Sequence, residues 1–213
     1  MSFNGFTSTD FKTFDIEGLE PRMEAIQQRI QPKFEEISKE VKRDLEALVG
    51  NEMYLHIARH LRRTKNPPAD TWMAFAHNNR GYKKHPHFQI GLFDDHVFVW
   101  LAYIYELPGK KDMASMMLSN IDRLKETIPS SYMVSTDHTK KSASKSIQEV
   151  DLEEVLTRFR DVKKGEFLVG RHFKSDDPLL QDGETFIETV KNTFETLVPI
   201  YHLSMKEEIT KEG

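Results

Sequence analysis

At 213 residues and 24.9 kDa, with 38% hydrophobic and 30% charged residues, the chain has the length for one domain and the composition of an ordinary globular protein. It has no cysteine, which excludes disulfides, zinc-thiolate sites and cysteine nucleophiles and suits a reducing cytoplasm. The net charge of −4 hides an asymmetry: His56 to Gly91 holds seven Lys/Arg against the single acid Asp70, leaving −10 for the rest, and contains five of the nine histidines.

The N-terminus, MSFNGFTSTDF, has neither a basic n-region nor an apolar h-region, so no signal peptide is expected. Residues 1–8 are expected to fray, and Ser8 to Phe14 to form one short helix. Leu19, Met23, Ile26, Ile30, Phe34, Ile37, Val41, Leu45 and Leu48 then recur at spacings of three and four, one apolar stripe on a long helix. Pro32 interrupts it and predicts a bend near Gln28 to Pro32; Gly50-Asn51 ends it.

Met53 to Arg59 alternates as a strand, with Tyr54 and His56 on one side and Met53, Leu55 and Ile57 on the other. His60 to Asp70 is a basic loop, since Asn66-Pro67-Pro68 forbids regular structure. Strands follow at Thr71 to His77, Phe88 to Phe93 and 96–106, with turns at Asn78 to Gly81 and at Asp94-Asp95. The run Val97 to Tyr105 is too short to span a membrane and reads as a central strand buried on both faces.

Pro108-Gly109 opens a single helix that runs to Ile128, its methionines serving as core filler. Ser131 to Asp137 is a fifth strand and Thr139 to Ser146 a mobile Lys/Ser loop. Asp151 caps a helix that Lys163, Lys164 and a C-terminal Gly165 close. Glu166 to Phe173 is a sixth strand. A last helix starts near Asp182; Pro199 bends or ends it, and residues 206–213 fray. The order predicts one α+β domain over residues 1–213, with a mainly antiparallel sheet of about six strands and about five helices.

No residue pattern specifies catalysis. There is no G-x-S-x-G elbow, no dinucleotide fingerprint and no P-loop. His85-Pro86-His87 would turn two rings the same way on an extended segment, and His56 and His60 form H-x-x-x-H. Neither spacing specifies a metal, so no metal and no cofactor is expected. His87, Asp94 and His172 are available for acid–base chemistry, but nothing in the sequence pairs them.

An anionic partner has the better support. Arg62 and Arg63, and Arg80, Lys83 and Lys84, fall in two loops that flank the strand Thr71 to His77. Such cations can converge on one phosphate, and the neighbouring sheet face offers Tyr54, His56, Trp72, His87 and Gln89 for stacking and hydrogen bonding. The expectation is a cytoplasmic binding protein for a phosphorylated small molecule or nucleic acid. The alternatives are an enzyme acting on a phosphorylated molecule at the same site, with His87 as acid or base, and a partner-binding protein with no ligand.

The stretches DFKTFDIEGLEPRMEAI, HLRRTKNPPADTWMAFAHNNRGYKKHPHFQIG and DVKKGEF resemble the YktB-like proteins of low-GC Gram-positive bacteria, a family of unknown function. The similarity spans residues 10 to 202, with NPPADTW and PHFQIG its specific segments. It implies a single-domain α+β cytoplasmic protein, with a sheet of the class II synthetase and biotin-ligase type. It carries no established catalytic or ligand residues, so none is transferred.

Overall fold

The structure is a computed structural model that describes residues 3–211, with side chains through Met205. Seven strands form one antiparallel sheet: β1 (Tyr54–Ile57), β2 (Thr71–Ala76), β3 (His87–Leu92), β4 (His96–Tyr103), β5 (Met133–Ser135), β6 (Ser144–Ser146) and β7 (Phe167–Lys174). Their order is β1-β2-β3-β4-β7-β5-β6. The apolar run thus becomes the fourth of seven strands, buried along its whole length. Alternation sends Val97, Val99, Leu101 and Tyr103 to one face and Phe98, Trp100 and Ala102 to the other.

One face carries the helices: α1 (Ser8–Phe11), α2 (Leu19–Ala25), α3 (Gln31–Val49), α4 (Lys110–Leu118), α5 (Ile121–Thr127), α6 (Leu152–Asp161) and α7 (Gly183–Lys211). The stripe residues Phe34, Ile37, Val41 and Leu45 of α3 and Phe186, Val190, Phe194 and Leu197 of α7 meet the inner residues of β2 to β4 in the main core. Among the described residues no helix is long and apolar enough to cross a membrane. The other face is covered by loops, and its smaller apolar cluster is built around Phe98, Trp100 and Leu168.

Several local expectations are corrected. Residues 3–7 are packed rather than frayed. Phe3 and Phe6 are buried against Phe186, and the Phe6 N–H donates to the Leu180 carbonyl at 2.6 Å. The fraying expected over 206–213 lies outside the residues whose side chains are described.

The long helix passes Pro32 by way of a wide π turn at Ile26–Ile30, which keeps both isoleucines fully buried. The helix expected from Pro108 to Ile128 is two: the Asn120 side chain donates to the Met116 carbonyl, 2.8 Å, and takes the place of a continuing turn. The Lys/Ser loop contains β6, which pairs with β5 through backbone alone and so shows no apolar alternation.

Gly165 does not cap α6, which ends at Asp161; a Cβ there would strike the Arg158 carbonyl. Instead the Lys110 ammonium donates to the carbonyls of Val162, Lys163 and Gly165 at 2.6, 3.0 and 3.2 Å, a cation where the helix dipole favours one. Pro199 does not end α7; it lies on the exposed side, where the carbonyl it leaves without a helical donor is not sealed in the core.

Candidate functional site

The helix-free face is laid out in rows by the strand register. One row runs Trp72, Gly91, Phe98, His172; the next runs His56, Ala74, Gln89, Trp100, Gly170. Gly91 is required here, since a Cβ would strike the Phe98 ring and crowd Trp72. At Gly170 a Cβ would instead strike the Val99 carbonyl of the neighbouring strand.

Loops from three places close over this face and meet around Trp72. The β1–β2 loop brings His60, whose ring stands edge-on to the indole at 5.4 Å and bonds the Thr71 hydroxyl at 3.2 Å. His60 has φ 51°, in the left-handed region. Arg22 holds this loop by donating to the Pro68 carbonyl at 2.9 Å.

The β2–β3 loop turns at Gly81, itself left-handed, into a single turn that presents Tyr82 and Lys83. The Trp72 indole N–H donates to the Tyr82 hydroxyl at 2.8 Å, and the Tyr82 ring stacks on His56 and meets His87 edge-on. Lys83 Nζ stands 5.7 Å from the indole centre and 3.8 Å from Glu106. The β5–β6 connection brings His138, edge-on to Trp72 at 6.3 Å, and Glu166 stands just before β7.

The electrostatics follow from burial. His87 is fully buried: its Nδ1–H donates to the His85 carbonyl at 2.8 Å, and Nε2 accepts from the Gln89 amide at 2.9 Å. A carbonyl only accepts, so the tautomer is fixed. Burial holds the ring's pKa down at about 3. Burial also lowers His60 to about 4, with Arg63 and Lys83 adding repulsion. Burial pushes the Asp70 carboxyl up to about 6, although His138, Arg63 and Lys83 lie close enough to oppose it.

The residues singled out from the sequence do not all gather. Trp72, His87 and Gln89 lie on the helix-free face, with Lys83 over the indole. Arg63 is exposed, near enough to Asp70 and His60 to act on both, and reaches the Asn66 and Pro67 carbonyls at 3.4 and 3.5 Å. Arg62, Arg80 and Lys84 are exposed, and among the described residues only Lys83 of the five cations stands over the indole. Tyr54 is on the edge strand, its hydroxyl donating to Glu52 at 2.7 Å, apart from the cluster. The two rings of the H-x-H separate: His85 packs on His77, and His87 has no free nitrogen for a metal.

Sequence reasoning passed over His138 and Glu166, which lie 28 positions apart with no motif linking them. Glu166 is 2% exposed and accepts from the His138 backbone N–H at 2.7 Å, the His138 ring at 2.9 Å and the Tyr105 N–H at 3.3 Å. Asp137 adjoins them, and one ligand atom from each of the three lies within 4.8 Å of the others. Those carboxylates are already taken, however. Asp137 accepts from the Thr139 hydroxyl and N–H and from Lys140, and Glu166 from the three donors above. The arrangement is a hydrogen-bonded knot more than a cation cage.

A second histidine group lies at the far end of the face. His96 stacks on His172 at 4.3 Å, and its Nδ1 pairs with Asp95 at 2.6 Å. A separate cleft of about 830 Å³, lined by Phe3, Glu40, Gln181 and Lys191 among others, lies in the helical layer and includes none of these residues.

Residues 6–201 match the family model described as a domain of unknown function, DUF1054. A UPF0637 protein of Shouchella clausii is 56% identical over 205 residues, covering 96% of this chain and 97% of that one. One from Oceanobacillus iheyensis is 56% identical over 203 residues, covering 95% and 97%. One from Listeria monocytogenes is 48% identical over 206 residues, covering 97% and 100%. With a match this long and identities this high, the chain belongs to the DUF1054 (UPF0637) family of low-GC Gram-positive bacteria.

Proposed function

We propose that the protein binds a small phosphorylated ligand at the loop-covered face of its sheet, in the cytoplasm. The observation that carries this is the meeting of two basic loops on one partly exposed indole. His60 comes from the β1–β2 loop and Lys83 with Tyr82 from the β2–β3 loop, and all three contact Trp72. Arg63 and Lys83 supply positive charge beside the Asp70 carboxyl, which burial pushes up to about 6. His60 and His87 are neutral at physiological pH and add no charge of their own to the face. Two cations at one aromatic cluster suit a compact phosphate better than an extended strand, which needs a track of cations.

The test is a titration with inorganic phosphate, sugar phosphates, nucleotides and single-stranded oligonucleotides, read by calorimetry and tryptophan emission. Trp100 is buried, so a change in emission reports on Trp72, and Trp72→Phe should abolish it. At least one small phosphorylated probe should bind in a salt-sensitive way. Arg63→Ser with Lys83→Ser should weaken it about tenfold or more, while Arg62→Ser, Arg80→Ser and Lys84→Ser together should change it about threefold or less. An oligonucleotide that depends on all five cations, with a log–log salt slope of about −3.5, would move the reading to nucleic acid. If nothing binds at low salt, the basic stretch is a solvated surface and the proposal fails.

A further inference from the structure

Among the imidazoles on the helix-free face, His138 is held differently from the rest. Its Nδ1 stands 2.9 Å from both oxygens of Glu166, a carboxylate 2% exposed. A carboxylate can only accept, so Nδ1 carries the hydrogen and Nε2 is the basic nitrogen of the neutral ring. That Nε2 has no hydrogen-bond partner among the described residues. It is also absent from the buried, unpartnered nitrogens, which include those of His77, His96 and His172, so it meets solvent.

The other rings lack this arrangement. His87 has both nitrogens occupied, His56 Nε2 is bonded to the Asn78 carbonyl and His60 Nε2 to Thr71. The Glu166 carboxylate is fixed in turn. It precedes Phe167, which is locked to Tyr103 in the central ladder, and it accepts the backbone N–H groups of His138 and Tyr105. A buried, anchored carboxylate behind an imidazole with a free outer nitrogen sets the tautomer, aims the ring and stabilises the imidazolium. The ring faces Trp72, the indole that Lys83 covers.

We propose that His138 is the general base of a phosphoester hydrolase site on this face, with Glu166 as its positioning residue. This rests on the phosphate-binding reading above. Arg63 and Lys83 hold the phosphoryl oxygens. His138 Nε2 takes a proton from a water molecule as the water oxygen bonds to phosphorus. The ester P–O bond breaks, its electron pair leaving on the alcohol oxygen, and the imidazolium returns the proton to that oxygen. Water and ester become phosphate and alcohol, with no other reactant. The assignment replaces His87, whose nitrogens are sealed, as the acid–base group of the face.

The experiment uses the full chain with 4-nitrophenyl phosphate and bis(4-nitrophenyl) phosphate, following nitrophenolate release across pH. Wild type should turn over at least one of them. His138→Asn keeps a donor for Glu166 but cannot take a proton. It should fold and melt like wild type, bind with unchanged KM and lose about 10²- to 10⁴-fold in kcat. Glu166→Gln should lower kcat with KM and the melting temperature unchanged, because the imidazolium formed in the step loses the carboxylate behind it; a purely structural carboxylate would not split kcat from KM in this way. Imidazole added to His138→Ala should restore part of the rate. No turnover of either ester by wild type, or wild-type turnover by His138→Asn purified in parallel, overturns the proposal. Inorganic phosphate is titrated in the same buffer: binding without turnover sinks only the hydrolase assignment, while neither binding nor turnover sinks the phosphate-binding reading as well.

Discussion

The Asp70 carboxyl is 6% exposed and is pushed up to about 6 by burial, so its ionised form is less stable folded than unfolded. The sign of the consequence is fixed. Between the ordinary carboxylate pKa and about 6 the folded state binds the extra proton, so this group weakens the fold as pH rises through that window and costs most above it. Asp70→Asn removes the charge and keeps the shape. It should stabilise the protein by about 1–3 kcal/mol at pH 7.5 and by almost nothing at pH 4. Urea unfolding at both pH values checks this, and an equal gain at both would show that the charge is not the cause. A residue beside the basic loops is therefore a source of instability at neutral pH, as expected where polar groups are gathered for a ligand.

The central strand β4 and the helix α7 that lies along it carry the element-scale tests. Val99 is fully buried between β3 and β7 and faces the helices, so Val99→Asp would place an unpaired charge in the main core. It should cost more than about 4 kcal/mol and leave little folded protein at about 37 °C. A cooperative melt near that of wild type would contradict the sheet order. Pro199 sits on the exposed side of α7, where it leaves the Glu195 carbonyl without its helical donor. Pro199→Ala should restore that bond and raise stability by about 1–3 kcal/mol, read as a higher midpoint in urea. A loss of stability would mean that a bend at this proline is needed to follow the sheet.

At the scale of the whole molecule, buried histidines set the response to acid, and three of them are shifted far enough to carry most of it. Burial holds His87 and His172 at about 3 and His60 at about 4, while the same rings in an unfolded chain titrate near 6.5. The unfolded chain therefore takes up protons first as pH falls below about 6.5, and stability is lost from there downward. Asp70 works in the opposite direction but is a single group with the smaller shift. Between pH 7.5 and 4.5 the net loss should be on the order of 3–6 kcal/mol, with His60 counted lightly because it is partly exposed. Denaturant unfolding at the two pH values measures it. His172→Phe, which keeps an aromatic ring beside His96 and Trp100, should make the loss smaller. Equal stability at both pH values would mean that these rings are not sealed.

The α+β class, the stripe of α3, the burial of β4 and the strands β1 to β4 with their turns were all legible in the amino-acid order, because each is set by local periodicity and by Gly, Pro and Asp punctuation. The same order separated Tyr54 and His56 from Met53, Leu55 and Ile57, since a strand has a period of two. Backbone pairing and side-chain space were beyond it. β6 has no apolar signal because an edge strand made of Ser and Lys is held only by its ladder to β5. The role of Gly91 and Gly170 is visible only once neighbouring strands show what a Cβ would strike. The basic stretch was legible as charge, but which of its cations approach Trp72 depends on how two loops fold back over the sheet. His138 and Glu166 were illegible altogether. A hydrogen bond between a loop and the start of a strand, 28 residues away, leaves no spacing to read, and the carboxylate comes to lie behind the ring through the folding of the sheet alone.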